Sequence, residues 1–412
     1  MFRSPRAQLL FVAAVCATIA ACKGHSDAGT SGATTQAPSV ASASAAAPPP
    51  PTLPPLTATA PSIAIGNLNA QIESAEKLPW MRVSLVDLLL ARGQYLGRIA
   101  DYERAASIVD GWAKEKPDDP AMLLSRSNVE STFHRFADAL ADLDAAEKHG
   151  AKPEEITPAR AGIFAATWRL DDAAALTPKD ESTMRTMPLA NKGLLAGDMG
   201  NYAEEDRLMT LARDKYGDVS PFPLAWLDAQ EAKMLERRGK LADARAHYAR
   251  ALTLVPQFAT AAAHLAPHVP PNDAIAMLEP LTKTSDDPEV EVQLADALRR
   301  AGRADDAATH LKNAEARYDE LLKAHPEAFA DHAAAMWLGP GKDPARALPL
   351  AKANAKNRPT PEAYDLYLAA ALGAHDDVEA CAAGREATAI KYAPPWLLEL
   401  AKTAATRCSA KP

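Results

Sequence analysis

The chain has 412 residues, 24% charged and 6% aromatic, with a formal net charge of −8. A mildly acidic balance of that size favours solubility and argues against broad nucleic-acid binding. After roughly the first sixty residues the chain is rich in Ala and Leu, and that remainder is too long for one ordinary core.

Residues 1–6 carry Arg3 and Arg6, and residues 9–19 are apolar but too short to settle across a bilayer. Ile19-Ala20-Ala21-Cys22 follows. This run resembles the lipobox of bacterial lipoproteins, with Ile19 in place of the usual Leu. The resemblance implies a signal peptide over residues 1–21, acylation of the Cys22 thiol and anchoring in a bacterial envelope. Two or three acyl chains give a stable attachment where one does not. Lys23 after the cysteine favours the outer membrane, facing the periplasm. The alternative is an ordinary secretory signal cut near Ala20 or Ala21. Cys16 leaves with the signal, so Cys22, Cys381 and Cys408 remain. With Cys22 acylated, Cys381 and Cys408 form one possible disulfide or stay as two free thiols, and spacing decides neither. No C-x-x-C or Cys/His ligand pattern points to a metal.

The lipidated Cys22 and the linker after it span residues 22–65. That stretch is Ala, Ser, Thr, Pro and Gly, with Pro48-Pro49-Pro50-Pro51 in its middle. It has almost nothing to bury, so it reads as a disordered tether stiffened by proline.

Residues 66–412 repeat. Gly93-Gln94-Tyr95 leads to Ala105, Val109, Trp112 and Pro117. His134-Arg135-Phe136-Ala137-Asp138-Ala139 leads to Leu143 and Ala146. Gly239-Lys240-Leu241-Ala242-Asp243-Ala244 leads to Tyr248, Ala251 and Pro256. Gly302-Arg303-Ala304-Asp305-Asp306-Ala307 leads to Leu311 and Ala314. Looser copies surround Ala173, Glu205, Ala274, Ala347 and Ala380. Pro178 shortens the first of these, Glu205 stands where Ala is expected, and Pro267, Pro270 and Pro271 disturb the third. The spacing resembles the tetratricopeptide repeat, a helix-turn-helix of about 34 residues. The resemblance implies an all-α, right-handed α-solenoid of about nine units, each burying its apolar face on the next. Residues 67–77, with Leu68, Ile72 and Ala75, and residues 395–406, starting Pro-Trp, read as terminal capping helices.

The chemistry carried by the sequence is sparse. Gly339-Pro340-Gly341-Lys342 lacks the spacing and the hydroxyl of a phosphate loop. His264 and His268 share a helical spacing, but Pro267 interrupts it and no zincin motif follows. Asp171-Asp172, Asp305-Asp306 and Asp376-Asp377 recur at one repeat position and suit helix N-termini. No catalytic residue, metal ligand or cofactor site is expected. In tetratricopeptide proteins helix A of each unit lines the concave groove. The same register puts Arg98, Asn128, Trp226, Lys233, Arg237 and His332 on or near it here. The carboxylate clamp known in that family is absent, since Leu90 and Gln94 occupy its first two positions. The expected function is a lipid-anchored envelope scaffold that binds a protein or peptide partner, and no nucleic acid. A structural subunit of an outer-membrane assembly, and then a small-ligand binder, are the alternatives.

Overall fold

The computed structural model describes residues 58–408, so the expected signal, Cys22 and most of the tether lie outside the described residues. Every regular element among the described residues is helical. α1 (Pro61–Glu76) precedes nine helical hairpins and α20 (Pro395–Cys408) follows them. The first five hairpins are α2 (Arg82–Leu96) with α3 (Ile99–Glu115), α4 (Pro120–Thr132) with α5 (Phe136–Lys148), α6 (Pro153–Ala166) with α7 (Leu170–Leu176), α8 (Thr186–Asp198) with α9 (Tyr202–Asp214), and α10 (Pro221–Arg237) with α11 (Leu241–Leu254). The last four are α12 (Ala259–Leu265) with α13 (Pro271–Leu278), α14 (Pro288–Arg300) with α15 (Ala304–Ala324), α16 (Pro326–Leu338) with α17 (Pro344–Asn357), and α18 (Pro361–Gly373) with α19 (Asp377–Ala389). The fold is an α-solenoid of tetratricopeptide-like units between terminal helices.

Local chemistry explains the punctuation. Pro120, Pro153, Pro221, Pro288, Pro326 and Pro361 each occupy the first turn of a helix A, where a missing N–H costs nothing. Eight of the nine A–B turns pass through a left-handed residue: Gly97, His134, Trp168, Gly200, Gly239, Gly302, Lys342 and His375. Inside the hairpins Ala139, Ala244, Ala347 and Ala380 are fully buried and let helix B close on helix A. Tyr248 and Leu143 fill the space beside the first two of those alanines.

Three local details refine the packing, and the last differs from the reading of the sequence. In the first unit the turn is at Gly97. Gly93 lies within α2 as the small helix-A residue, where a Cβ would collide with the Tyr102 ring, and Ala105 is fully buried as the small residue of α3. In the fourth unit Glu205 replaces the helix-B alanine, and Gly197 across the pair makes room for it. Glu205 pairs there with Arg238. Finally, α1 starts at Pro61 rather than at residue 67, and it already buries Ala64.

The superhelix closes on itself. The A–B turn of the first unit meets the connection ahead of α14: the Gly97 carbonyl accepts from Ser285 Oγ at 2.7 Å and from the Asp286 N–H at 3.1 Å. The Asp286 carboxylate in turn accepts from the Ile99 and Ala100 N–H groups at 2.6 and 3.0 Å. A Cβ at Gly97 would stand 2.5 Å from Ser285 Oγ and 2.6 Å from Ala259 Cβ, and its φ is +60°, so only glycine fits. The second turn meets the connections on either side of the eighth unit. Phe133 stacks on His325 with centroids 3.9 Å apart, Arg135 donates to His325 Nδ1 at 2.9 Å, and Asn357 donates to the His134 carbonyl at 2.9 Å. The third turn meets the segment before α20: Trp168 Nε1 donates to the Lys391 carbonyl at 2.9 Å, and Asp171 accepts from Tyr392 at 2.8 Å. Arg237 adds a fourth tie, to Asp198 at 2.8 Å and to Glu362 at 2.7 Å.

Candidate functional site

Closure turns the concave groove into an inner cavity of about 140 Å³. Helix A of the first, fifth, seventh and eighth units supplies much of its wall: Gln94, Trp226, Gln230, Lys233, Gln293, Phe329 and His332. Phe258, Ala263 and His264 come from the α12 segment. Tyr102, Phe133 and His134, from the A–B edge of the first two units, cover it. The wall therefore mixes aromatic and polar side chains.

The polar lining carries both signs of charge. His332 Nδ1 lies 3.7 Å from Glu289 and its Nε2 3.9 Å from Asp331. Burial opposes a charge on this ring, but Asp331, Glu289 and Asp287 outweigh it and lift its pKa to about 9. Asp287 caps α14 through the Glu289 N–H at 2.9 Å, and burial pushes its carboxyl up to about 6. Glu289 accepts from Gln293 at 2.7 Å and from Tyr318 at 3.1 Å. Lys233 is buried. His134, by contrast, is neutral: burial and the nearby Arg358 charge lower its pKa to about 3.

Of the six residues read from the repeat register, the structure brings Trp226, Lys233 and His332 together in this cavity. Arg98 follows Gly97 at its rim, with its side chain partly exposed and paired with Asp101 at 3.2 Å. Asn128 is half-buried on α4 and Arg237 is held in the seam, and neither lines the cavity. The aromatic cover was not foreseen, because Phe133 and His134 reach the cavity only through the closure of the superhelix.

Three other clusters have structural explanations. His264 and His268 do converge, but on opposite oxygens of Glu236, at 3.3 and 3.0 Å. Burial opposes that charge, but hydrogen bonds from the two histidines and Tyr248 hold the Glu236 carboxyl down at about 2. Donor atoms of Asp228, Glu231 and His247 lie within 4.8 Å of one another. The Asp228 carboxylate is already bridged by Arg213 and Arg250, so a metal ion would compete with two guanidinium groups. The repeated Asp pairs lie at helix starts, with Asp172 and Asp306 paired to Arg169 and Arg303 at 2.7 and 2.8 Å.

Cys381 and Cys408 are joined sulfur to sulfur, with Cα atoms 5.5 Å apart, and tie α19 to the end of α20. Among the described residues, no helix is long and apolar enough to cross a membrane.

No protein-family profile and no curated protein matches the chain. Solved structures do. Cut9, from the APC/C hetero-tetramer Cut9–Hcn1, is 15% identical, with 74% of this chain and 52% of that one covered and a TM-score of 0.37. The chain thus spans about half the length of Cut9. Human IFIT1, solved as a dimer with PPP-AAAA, is 14% identical over 85% of this chain and 89% of that one, with a TM-score of 0.40. Yeast Tom70 is 14% identical over 84% and 94%, with a TM-score of 0.24. At these values no function is carried across.

Proposed function

We propose that this protein is a lipid-tethered scaffold of a bacterial envelope that holds a protein partner. The observation that carries this reading is the unbroken stack of hairpins from Arg82 to Ala389, which makes one large surface of fixed shape. Behind a lipidated Cys22 and a proline-rich tether, such a surface would stand off the membrane and collect a partner there. The partner would sit on the outer surface and rims, because the seam occupies the inner face. Arg98 and Asn128 are the groove candidates left partly accessible. Arg237→Glu is no clean probe of partner binding, since it would set a third carboxylate beside Asp198 and Glu362.

Crosslinking in native membranes followed by capture tests the scaffold. A single stoichiometric protein is the expected result, and no captured protein together with measurable turnover overturns it. Acyl labelling tests the anchor separately. Cys22→Ser should abolish the label and release or mislocalise the chain, and an unlabelled but membrane-retained wild type would remove the lipoprotein assignment. A second reading, a structural subunit of a larger assembly, is favoured by Trp80, 78% exposed between α1 and α2 with Val83 exposed beside it.

A further inference from the structure

We propose that the inner cavity is a binding site for a free amino acid, held by both its charged groups. Size comes first. A cavity of about 150 Å³ accepts a molecule such as benzene, so about 140 Å³ admits a small ligand of that order. Charge comes second. The polar wall presents Lys233 and His332 together with Asp287 and Glu289. A simple anion would meet the carboxylates and a simple cation would meet the lysine and the imidazolium. A zwitterion satisfies both, with its carboxylate toward Lys233 and His332 and its ammonium toward Asp287 and Glu289.

The remaining wall fits the rest of such a molecule. Phe133, Trp226, Phe258 and Phe329 offer apolar faces to a side chain. Gln94 and Gln230 line the cavity and make no side-chain hydrogen bond to another described residue, so their amides are open to a ligand. The raised pKa of His332, about 9, keeps its charge at neutral pH and supports the same assignment. The inference does not depend on the protein-partner reading, since a scaffold and a ligand sensor use different surfaces.

Isothermal titration of the folded chain with L-leucine and L-phenylalanine tests it. Their one-charge analogues, isoamylamine and 4-methylpentanoate, serve as controls. Saturable binding of at least one amino acid is expected, with each analogue at least tenfold weaker. Gln230→Leu should weaken binding about tenfold without moving the thermal midpoint. Ala263→Leu, which fills the cavity, should abolish it; if that variant does not fold, Gln230→Leu alone decides. No saturable binding by either amino acid, analogues that bind equally well, or affinity untouched by Gln230→Leu would each overturn the proposal.

Discussion

Between α10 and α11, Ala244, Tyr248 and Ala251 are fully buried. Between the first turn and the α14 connection, the contact is instead a glycine carbonyl, a serine hydroxyl and an aspartate that caps a helix 187 residues away. The two regions hold the same solenoid by different physics. A hairpin interior is local in sequence, apolar and close-packed, so its energy follows area and shape. The seam is long-range and largely polar, so it depends on direction, charge and solvent access. It follows that the seam should open before any hairpin melts, and substitutions in the two regions should separate these events.

The largest effect is expected at Asp228, the charged centre of the fifth unit. Its carboxylate is fully buried against Arg213, Arg250 and His247. Burial opposes its ionisation, but hydrogen bonds from His247 and Arg250 and the charges of Arg213 and Arg250 hold its carboxyl below the ordinary range. Asp228→Ala would take the shared carboxylate away from Arg213, Arg250 and His247, with Glu231 still beside Arg213, and should cost about 3–5 kcal/mol. Denaturant unfolding measures it, and a loss below about 1 kcal/mol would mean that the network contributes little. A purely apolar interior tests the same half of the comparison. Ala139→Leu should overpack α4 against α5 and cost about 1–3 kcal/mol. Its hydrogen exchange should rise within that hairpin while Ile99 and Ala100 stay protected, and a uniform rise would merge the two regions into one cooperative unit.

Acid should act on the seam. His134 is buried and neutral, with a pKa near 3, and burial, with the Arg135 charge, lowers His325 to about 4. An opened seam would return both rings toward the ordinary value of about 6.5. Between about pH 6.5 and pH 3 these two rings therefore bind protons in the open form that they do not bind in the closed form, and the closure of the second turn weakens as pH falls. Above pH 6.5 the contribution of these rings is fully present. At pH 5 the loss from His134 is about 2 kcal/mol. Amide exchange at His134 and Arg135, corrected for the intrinsic rate, should quicken between pH 7.5 and pH 5. Unchanged protection there would remove the histidines from the closing mechanism.

This difference also decides what could be read before the structure. The hairpins were legible because each is written within some thirty residues: Ala244, Tyr248 and Ala251 repeat a pattern that Ala139, Leu143 and Ala146 had already shown. The Tyr102 ring over Gly93 was not read, because the repeat pattern fixes where a small residue stands and not which side chain of helix B fills the space beside it. The seam left no periodic trace. Asp286 and Asp287 look like any acidic pair before a proline, and nothing near them in sequence names Ile99 as the recipient. Trp226, Lys233 and His332 were placed on the inner face by register, but their enclosure needed the closure of the chain.

The smallest expected effect is the most specific to the seam. α3 has Arg98 at its N-cap, with no side-chain hydrogen bond of its own. Asp286 supplies the missing acceptor from the other half of the molecule, bonding the Ile99 and Ala100 N–H groups and lying 3.4 Å from Arg317. A carboxylate there also faces the positive end of the helix. Asp286→Ala should cost about 1 kcal/mol, the usual worth of a cap. Because the cap spans the seam, the loss should appear as faster exchange at Ile99 and Ala100 and in the A–B turn of the first unit, with the α10–α11 interior unchanged. Asp286→Asn keeps an acceptor oxygen and should recover most of the protection. If Asp286→Ala instead loosened α10 and α11 as much as α3, seam and interior would be one cooperative unit, and the distinction between them would fail.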